Sequence, residues 1–359
     1  MAGGREPSLL GLPATSHYTM PAVLEALHRA AGRQDLTAQQ AHAALEEILA
    51  GSASAAQIAA LLAALRVKGE TVEEVAGFAR ALRSRGHPVP CRPDPRPLVD
   101  TCGTGGDGAH TFNISTAAAF VAAGAGARVA KHGNRSISSR CGSADVVEEL
   151  GARLELPPAR IAECIDQVGI GFLFAPSLHP AMRHVQPIRA ELKMRTIFNL
   201  LGPLANPAGA QAQLVGVFEP RLVPLLANAL ALLGLPRGLV VHGSDGLDEI
   251  TNTGPTLTAE IDHGRVAERT LSPAEFGLQT VTLDSLKGAD RAENAAILRA
   301  ILDGGAGPRR DIVLANAAAV LVVAGLAPDF TAGMTLARAS IDSGRAMQKL
   351  QELIRFTTS

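Results

Sequence analysis

A glycine-rich segment after residue 97 has the composition of a loop that binds phosphate. It reads Leu98-Val-Asp-Thr-Cys-Gly-Thr-Gly-Gly-Asp-Gly108, and a helix is predicted to begin at about Thr116. Glycine lets the backbone adopt positive φ and approach a ligand closely. Several N–H groups, together with the N-terminus of the next helix, can then converge on a phosphate. A tight strand-to-helix turn without a ligand is the alternative that this segment alone leaves open.

A dinucleotide site is a second alternative for the same loop. Gly103, Gly105 and Gly108 match the spacing GxGxxG, a pattern that normally comes with an acidic residue at the end of the second strand. Here the second predicted strand ends in Lys131 and His132, which would suit only the extra phosphate of NADP. The polar residues after the loop favour a sugar phosphate and a cation instead. They are Asp107, Thr111, Asn113, Ser115 and Thr116.

A second polar cluster begins where the second strand ends. It reads Lys131-His-Gly-Asn-Arg-Ser-Ile-Ser-Ser139 and continues to Ser143. Lys131 and Arg135 supply positive charge, while Asn134 and the serines supply neutral hydrogen bonds. A solvated basic loop is the alternative interpretation. In a right-handed βαβ unit, however, this cluster and the glycine loop lie at adjacent strand ends. Together they predict a site for one polyanionic ligand.

An acidic pair, Asp248-Glu249, follows the predicted strand that ends at His242. Adjacent carboxylates on a loop suit Mg²⁺, a hard cation that keeps several waters and shares ligands with substrate phosphates. Solvated surface is the alternative for such a pair. Its position after another strand of the predicted sheet favours a magnesium site.

Arg189 and Arg195 could each hold a carboxylate in a bidentate fork. A surface ion pair is equally consistent with either residue, and chemistry alone does not choose between them. The histidines near the predicted site form no Ser/His/Asp or Cys/His arrangement, so the sequence identifies no general acid or base and no zinc site.

The elements that must position these residues change character along the chain. Before residue 87, capping boxes at Thr37, Ser54 and Thr71 predict successive short helices, after a first helix at about 21–31. The proline-rich stretch 87–97 predicts a linker. Beyond it, strand and helix patterns alternate, which predicts an α/β domain. The predicted strands are 97–100, 128–131, 171–174, 214–217 and 239–242, and the predicted helices are 116–123, 146–150, 221–233 and 292–302.

Composition narrows the class of protein. The 359 residues carry a net charge of −1, with 33 basic and 34 acidic side chains, so we expect no general attraction to nucleic acid or to an acidic membrane surface. The apolar runs are too short to span a bilayer, and the start of the chain lacks the apolar core of a signal peptide. The four cysteines show no metal-ligand spacing and are typical of free thiols in a reducing compartment. We therefore predict a cytoplasmic protein.

At these motifs the chain resembles the anthranilate phosphoribosyltransferase family, in order from about residue 21 to 350. The matching segments are Gly103-Thr-Gly-Gly-Asp107, Asn113-Ile-Ser-Thr116, Lys131-His-Gly-Asn-Arg135, Arg195-Thr-Ile-Phe-Asn-Leu-Leu-Gly-Pro203 and Asp248-Glu249. The resemblance implies the nucleoside phosphorylase-like phosphoribosyltransferase fold of class α/β. In that fold a small all-helical N-terminal domain precedes a larger α/β domain with a central, mostly parallel sheet. We expect a flexible lead-in at 1–17, a helical domain at 18–86 joined by about 158–190, a linker at 87–97, and an α/β catalytic domain at 98–359.

The resemblance also implies ligands. Anthranilate would contact Gly103, Asn134 and Arg189, and on that ground alone Arg189 is preferred to Arg195. Two Mg²⁺ per subunit would bind at Ser115, Asp248 and Glu249, and the role of Lys131 and the acidic pair would be electrostatic. A homodimer through the helical domain is expected. Phosphoribosyl pyrophosphate (PRPP) would contact Gly103, Gly106, Asp107, Thr111, Asn113, Ile114, Ser115, Thr116, Lys131, His132, Gly133, Asn134, Arg135, Ser136, Ile137, Ser138, Ser139 and Ser143.

The implied reaction is transfer of the phosphoribosyl group of PRPP to the anthranilate amine with loss of pyrophosphate, the second step of tryptophan biosynthesis. A pyrimidine nucleoside phosphorylase on the same fold is one alternative, although its phosphate loop should differ from Gly103-Thr-Gly-Gly-Asp107. A non-catalytic relative that binds nucleic acid is another, and the neutral charge counts against it.

Overall fold

A computed structural model describes residues 20–136 and 140–359. The chain starts with a bundle of short helices, α1 (Ala22–Ala31), α2 (Ala38–Leu49), α3 (Ala55–Lys68) and α4 (Val72–Ser84). Capping boxes at Thr37, Ser54 and Thr71 are present with both reciprocal hydrogen bonds, which confirms the predicted helix starts. The leucines and alanines of these helices face one another in a buried core, as the apolar spacing requires.

Within the described residues, seven strands form one sheet in the order β3-β2-β1-β4-β5-β6-β7. Neighbours among β1 to β5 are parallel, whereas β6 and β7 form antiparallel pairs at one edge. The order reverses between β1 and β4, which is the place where ligands bind in open α/β sheets. The strands are β1 (Leu98–Gly103), β2 (Arg128–Gly133), β3 (Ile170–Phe174), β4 (Ala212–Gly216), β5 (Arg237–Gly243), β6 (Thr256–Asp262) and β7 (Arg265–Leu271).

The predicted strands are confirmed as β1 to β5, with bounds shifted by at most three residues. The β6–β7 hairpin was not predicted. Its outer strand is largely exposed and carries charged residues, so it lacks the apolar signal that marks the buried strands. Because the hairpin lies at the edge far from the β1–β4 junction, its omission does not affect the predicted site.

Helices cover both faces of the sheet. The apolar helix α5 (Ile114–Gly124) is buried along nearly its whole length, beneath α13, α14 and α15. On the other face, α11 packs between the sheet and α4. The remaining bounds are α6 (Ser143–Glu149), α7 (Pro158–Val168), α8 (Ala175–Leu178), α9 (Gln186–Leu192), α10 (Phe198–Leu201), α11 (Leu222–Leu232), α12 (Arg291–Leu302), α13 (Pro308–Val323), α14 (Phe330–Asp342) and α15 (Arg345–Thr358).

The return of the chain to the helical bundle begins later than the predicted residue 158. Helix α7 packs on β3 because Ile161 and Ile165 face the sheet beside Leu173. The following helices α9 and α10 are the ones that contact α3 and α4. The stretch 87–97 contains no helix or strand, and all of its residues are described. The remaining domain limits, including the lead-in at 1–17, stay predictions. Among the described residues, none of the helices combines the length and apolar character needed to cross a bilayer.

Candidate active site

Two glycines at the carboxyl ends of neighbouring strands make room for the acidic pair. Gly103 ends β1 and Gly216 ends β4. A Cβ on Gly103 would overlap Oδ2 of Asp248, and a Cβ on Gly216 would overlap the main-chain oxygen of the same residue. Neither glycine has positive φ, so space and not backbone conformation is the reason for glycine here. The segment carrying Asp248 and Glu249 therefore lies directly on the β1–β4 junction.

Replacing Gly216 with alanine is expected to lower the free energy of unfolding by about 3 kcal/mol, the upper part of the usual range for overpacking. The new methyl group meets backbone, which cannot rotate away. Gly202→Ala is the matched control, because no atom lies within 4 Å of a Cβ at Gly202. Urea denaturation of both variants measures the difference. Equal stability of the two would contradict this packing of Asp248.

The carboxylates of the pair are oriented by backbone N–H groups. Asp248 Oδ2 accepts from Gly105 N at 2.7 Å, and Glu249 Oε1 accepts from Ser115 N at 3.0 Å. Burial, and then the negative charge of Asp107, raises the pKa of Asp248 to about 7. Burial and the neighbouring Asp248 likewise raise the pKa of Glu249. Carboxyl groups are thus crowded beside the glycine loop, where a cation would favour their ionised form.

The donor atoms fit Mg²⁺ that is shared with a substrate. Asp248, Glu249 and the Ser115 hydroxyl offer hard oxygen ligands at one place. Across the described residues, no group of three or more His, Cys, Asp or Glu side chains is arranged to hold a metal ion unaided. Magnesium in phosphate-binding enzymes is commonly held by one or two carboxylates together with substrate phosphates. The arrangement therefore suits a magnesium ion that arrives with a polyphosphate.

Lys131 places a buried positive charge under the same loop. Its side chain is almost fully buried, and Nζ donates to Thr101 O at 2.7 Å and to Ser115 Oγ at 3.4 Å. Burial lowers the pKa of Lys131, while the nearby carboxylate of Asp100 opposes that effect. The ammonium group thus lies between β1 and the start of α5, where it can offset charge on a bound phosphate.

The start of α5 presents backbone, not side chains, at several predicted positions. Ile114 and Thr116 are fully buried, so only their main chain could contribute to a phosphate site. The Asn113 side chain is held from both sides, because it accepts from Asn294 Nδ2 and donates to Cys141 O, each at 3.2 Å. Thr111 pairs with Lys287 through its backbone.

Parts of the second cluster are also held in place. Asn134 O accepts from Ala144 N at 3.1 Å and from Ser143 Oγ at 3.4 Å, so Asn134 and Ser143 lie together beyond β2. Asp145 Oδ2 accepts from the backbone N–H groups of Ser136 and Gly142, at 3.1 and 2.8 Å. The predicted residues Ile137, Ser138 and Ser139 lie outside the described residues.

Arg135 differs from its expected position. Its guanidinium is bound by carboxylates of α6, at 2.7 Å from Glu148 Oε2 and 3.1 Å from Asp145 Oδ1. A phosphate contact by this side chain would require those ion pairs to break. The sequence could not show this, because the charges of α6 become partners only when the chain turns back on itself.

His132, another predicted PRPP contact, lies near the end of β2. The side chain is buried, and Nδ1 lies 3.1 Å from Gly202 O, so the neutral ring donates from Nδ1. Burial lowers the pKa of His132 to about 4, and that of the adjacent His179 to about 3. The two rings stack edge to face at 5.3 Å. They are therefore neutral at pH 7 and line the space between the sheet and the helical bundle.

The structure separates the two candidate arginines. Arg195 donates to Gly106 O and stacks on Phe218, with its guanidinium 3.9 Å from the ring centroid. Arg189, on α9, is half-buried and hydrogen-bonds to Gln186 at 3.4 Å. No carboxylate of the described residues forms an ion pair with Arg189, and burial lowers its pKa. Arg195 thus supports the loop, whereas Arg189 keeps donors for a carboxylate ligand. No hydrogen bond joins Arg189 to the loop among the described residues.

Sequence reasoning missed polar residues that support the site from behind. Asp100 is fully buried in β1 and accepts from His132 N at 3.1 Å and from Asn206 Nδ2 at 2.8 Å. Asn206 also donates to Ala130 O at 2.8 Å, which ties β1 to β2. A charged residue inside an apolar strand was a readable signal for Asp100, because buried carboxylates require partners.

Comparison with known proteins shows the family of the chain. The α/β domain of a glycosyl transferase family matches residues 95–347, and the helical bundle domain of the same family matches residues 24–86. The anthranilate phosphoribosyltransferase of Solibacter usitatus is 56% identical over 337 residues, covering 94% of this chain and 99% of that protein. The chain belongs to the anthranilate phosphoribosyltransferase family.

Solved structures of the anthranilate phosphoribosyltransferase family share the fold. The enzyme from Thermus thermophilus superposes with a TM-score of 0.89 at 45% identity, covering 95% of this chain and 100% of that one. The Saccharomyces cerevisiae enzyme in complex with PRPP and Mg superposes with a TM-score of 0.86 at 30% identity, covering 95% and 99%. The predicted helical N-terminal domain and mostly parallel sheet are thereby confirmed as the fold of this family.

Proposed function

We propose that the protein transfers the phosphoribosyl group of PRPP to the amine of anthranilate, giving N-(5-phosphoribosyl)anthranilate and pyrophosphate. The observation that carries this proposal is the position of Asp248 and Glu249, which lie against the glycine loop at the β1–β4 junction. The phosphate-binding loop and the oxygen ligands for magnesium then lie together at the same edge of the sheet. The chain is 56% identical, over 94% of its length, to an anthranilate phosphoribosyltransferase, and this similarity supports the choice of substrates.

The residues of the chain would act mainly by charge and position. Expulsion of pyrophosphate needs positive charge and N–H donors, and no protein nucleophile. The backbone of the glycine loop and Lys131 supply these, while Arg189 orients anthranilate through its carboxylate so that the amine faces C1′. Mg²⁺ bound at Ser115, Asp248 and Glu249 would neutralise charge on the departing pyrophosphate. As the amine nitrogen bonds to C1′, the bond from C1′ to pyrophosphate breaks and the amine proton passes to pyrophosphate or to water, since the sequence identifies no protein base.

We infer further that two Mg²⁺ bind per subunit, that the protein is cytoplasmic and that it binds neither nucleic acid nor a membrane. The acidic pair beside a pyrophosphate offers ligands for more than one cation. Cys91, Cys102 and Cys164 are free thiols, which is consistent with a reducing compartment. Balanced charge gives no general attraction to nucleic acid.

The same proposal includes a homodimer through the helical bundle. Val67, at the end of α3, is 73% exposed, and a subunit interface on the helical bundle would cover this apolar side chain. Light scattering of the purified protein is expected to give twice the subunit mass of 37.1 kDa. A Val67→Glu variant should shift the mass towards that of one subunit, and a monomeric wild type would contradict the dimer.

The test of the reaction mixes purified protein with PRPP, anthranilate and Mg²⁺. Anthranilate fluorescence should fall in step with pyrophosphate release, and EDTA should abolish both. Binding of PRPP without turnover would retain the phosphoribosyl site and assign another acceptor. Salt-sensitive DNA binding with no PRPP binding would favour the non-catalytic relative, and phosphorolysis of a pyrimidine nucleoside would favour the phosphorylase.

A further inference from the structure

A buried asparagine on α13 forms hydrogen bonds with the backbone next to the acidic pair. Asn316 has no exposed surface. Its Oδ1 accepts from Ile250 N at 3.0 Å, and its Nδ2 donates to Ile250 O at 2.8 Å and to Ile312 O at 2.9 Å. Both donors of the amide are used, together with its acceptor. The side chain thus pairs with both polar groups of one residue, as a neighbouring strand would.

Ile250, the residue bound by Asn316, directly follows Asp248 and Glu249 in the chain. Ile250 is buried in the core of the α/β domain. On the other side of the pair, Asp245 Oδ1 accepts from Leu247 N at 3.1 Å. The acidic pair is therefore held between two fixed backbone positions. A shift at Ile250 would move Glu249 first, because the two residues share a peptide bond.

Helix α13 also determines where the partner of Glu249 lies. It packs closely on α5, and the first turn of α5 carries Ser115, whose N–H binds Glu249. One helix thus fixes the acidic pair through Asn316 and the opposite side of the site through α5. The geometry between the Ser115 hydroxyl and the two carboxylates depends on both contacts.

We propose that Asn316 is a positioning residue for the magnesium ligands Asp248 and Glu249. It touches neither substrate nor metal, and acts by holding Ile250. Magnesium demands near-ideal octahedral geometry, so small shifts of its carboxylates weaken binding. Loss of a group that orients metal ligands typically costs about 10- to 100-fold in metal affinity. The inference rests on the proposed function, since it requires that Asp248 and Glu249 bind magnesium with PRPP.

The test compares Asn316→Ala and Asn316→Asp with the control Ser340→Ala. Ser340, on α14, is equally buried and donates to Val121 O of α5 at 2.8 Å, but it makes no contact with the backbone that carries the acidic pair, and Val121 is six residues along α5 from Ser115. Calorimetric titration of PRPP over a series of Mg²⁺ concentrations gives the half-saturating Mg²⁺ concentration of each protein. Thermal unfolding of each protein records the structural cost separately. Asn316→Asp retains the acceptor for Ile250 N–H and decides the question if the alanine variant does not fold.

We expect the half-saturating Mg²⁺ concentration to rise at least about tenfold in Asn316→Ala and less in Asn316→Asp. Ser340→Ala should stay near the wild-type value despite a similar loss of stability. Equal Mg²⁺ dependence in the Asn316 variants and the control would overturn the inference while leaving the proposed function intact. Wild-type PRPP binding that is independent of Mg²⁺ would overturn the metal site itself, and the inference with it.

Discussion

Replacing Arg189 with alanine is expected to raise the KM for anthranilate by about 10- to 150-fold, the equivalent of the 1.5–3 kcal/mol of hydrogen bonds to a charged group. The guanidinium is half-buried, and no carboxylate of the described residues pairs with it, so its donors are open to a carboxylate ligand. The KM for PRPP should change little. Steady-state kinetics with each substrate varied in turn measures both constants.

Arg195→Ala is the matched control, because it removes the same chemical group from the same part of the chain. Arg195 donates to Gly106 O in the phosphate loop. Its loss should therefore affect the KM for PRPP more than that for anthranilate. If Arg195→Ala instead raises mainly the KM for anthranilate and Arg189→Ala mainly the KM for PRPP, Arg195 is the anthranilate ligand. An unchanged anthranilate KM in Arg189→Ala would remove the proposed role of Arg189.

Replacing both Asp248 and Glu249 with alanine is expected to lower kcat/KM by about 1,000-fold, since a metal ion contributes several kcal/mol and each 1.36 kcal/mol is tenfold in rate. The remaining turnover should no longer respond to Mg²⁺. Rates over a Mg²⁺ series, with pyrophosphate release as the readout, measure both effects. The reason is that both carboxylates lie beside the glycine loop, where the proposed function places the departing pyrophosphate.

Asp248→Asn combined with Glu249→Gln separates charge from structure. The amide oxygens can still accept from Gly105 N and Ser115 N, the contacts that orient the two side chains. Volume is also retained, so the loop should keep its shape. We expect this variant to be nearly as inactive as the double alanine variant, because its negative charge is gone. Wild-type Mg²⁺ dependence in the isosteric variant would show that the pair is structural.

The local elements of the site were predictable from residue pattern. Capping residues with a partner three positions later mark the starts of α2, α3 and α4, since the hydrogen bonds involved are local. The apolar runs of β1 to β5 also carry their own signal, because strands covered on both faces are mostly apolar. The exposed β7 lacks that signal.

The ligand class was predictable for a related reason. A glycine loop, a basic cluster and an acidic pair each follow a strand of the α/β part, and carboxyl ends of parallel strands meet at one edge of a sheet. Adjacency of these motifs therefore follows from topology, without knowledge of any side-chain position. The fold class and the resemblance to the family followed from the same motifs.

Which contacts each polar side chain makes was decided only by the tertiary structure. The sequence does not distinguish Arg189 from Arg195. In the structure, Arg195 donates to Gly106 O and stacks on Phe218. Arg189 has no carboxylate partner in the described part of the chain. Arg135 forms an ion pair with Glu148 of α6. The hydrogen bonds between Asn316 and Ile250 join residues 66 positions apart. By itself, the sequence determined the elements, their class and the chemistry at their ends, because those depend on neighbours along the chain. The partners of buried polar groups depend on packing between distant segments, and only the folded chain brings those segments together.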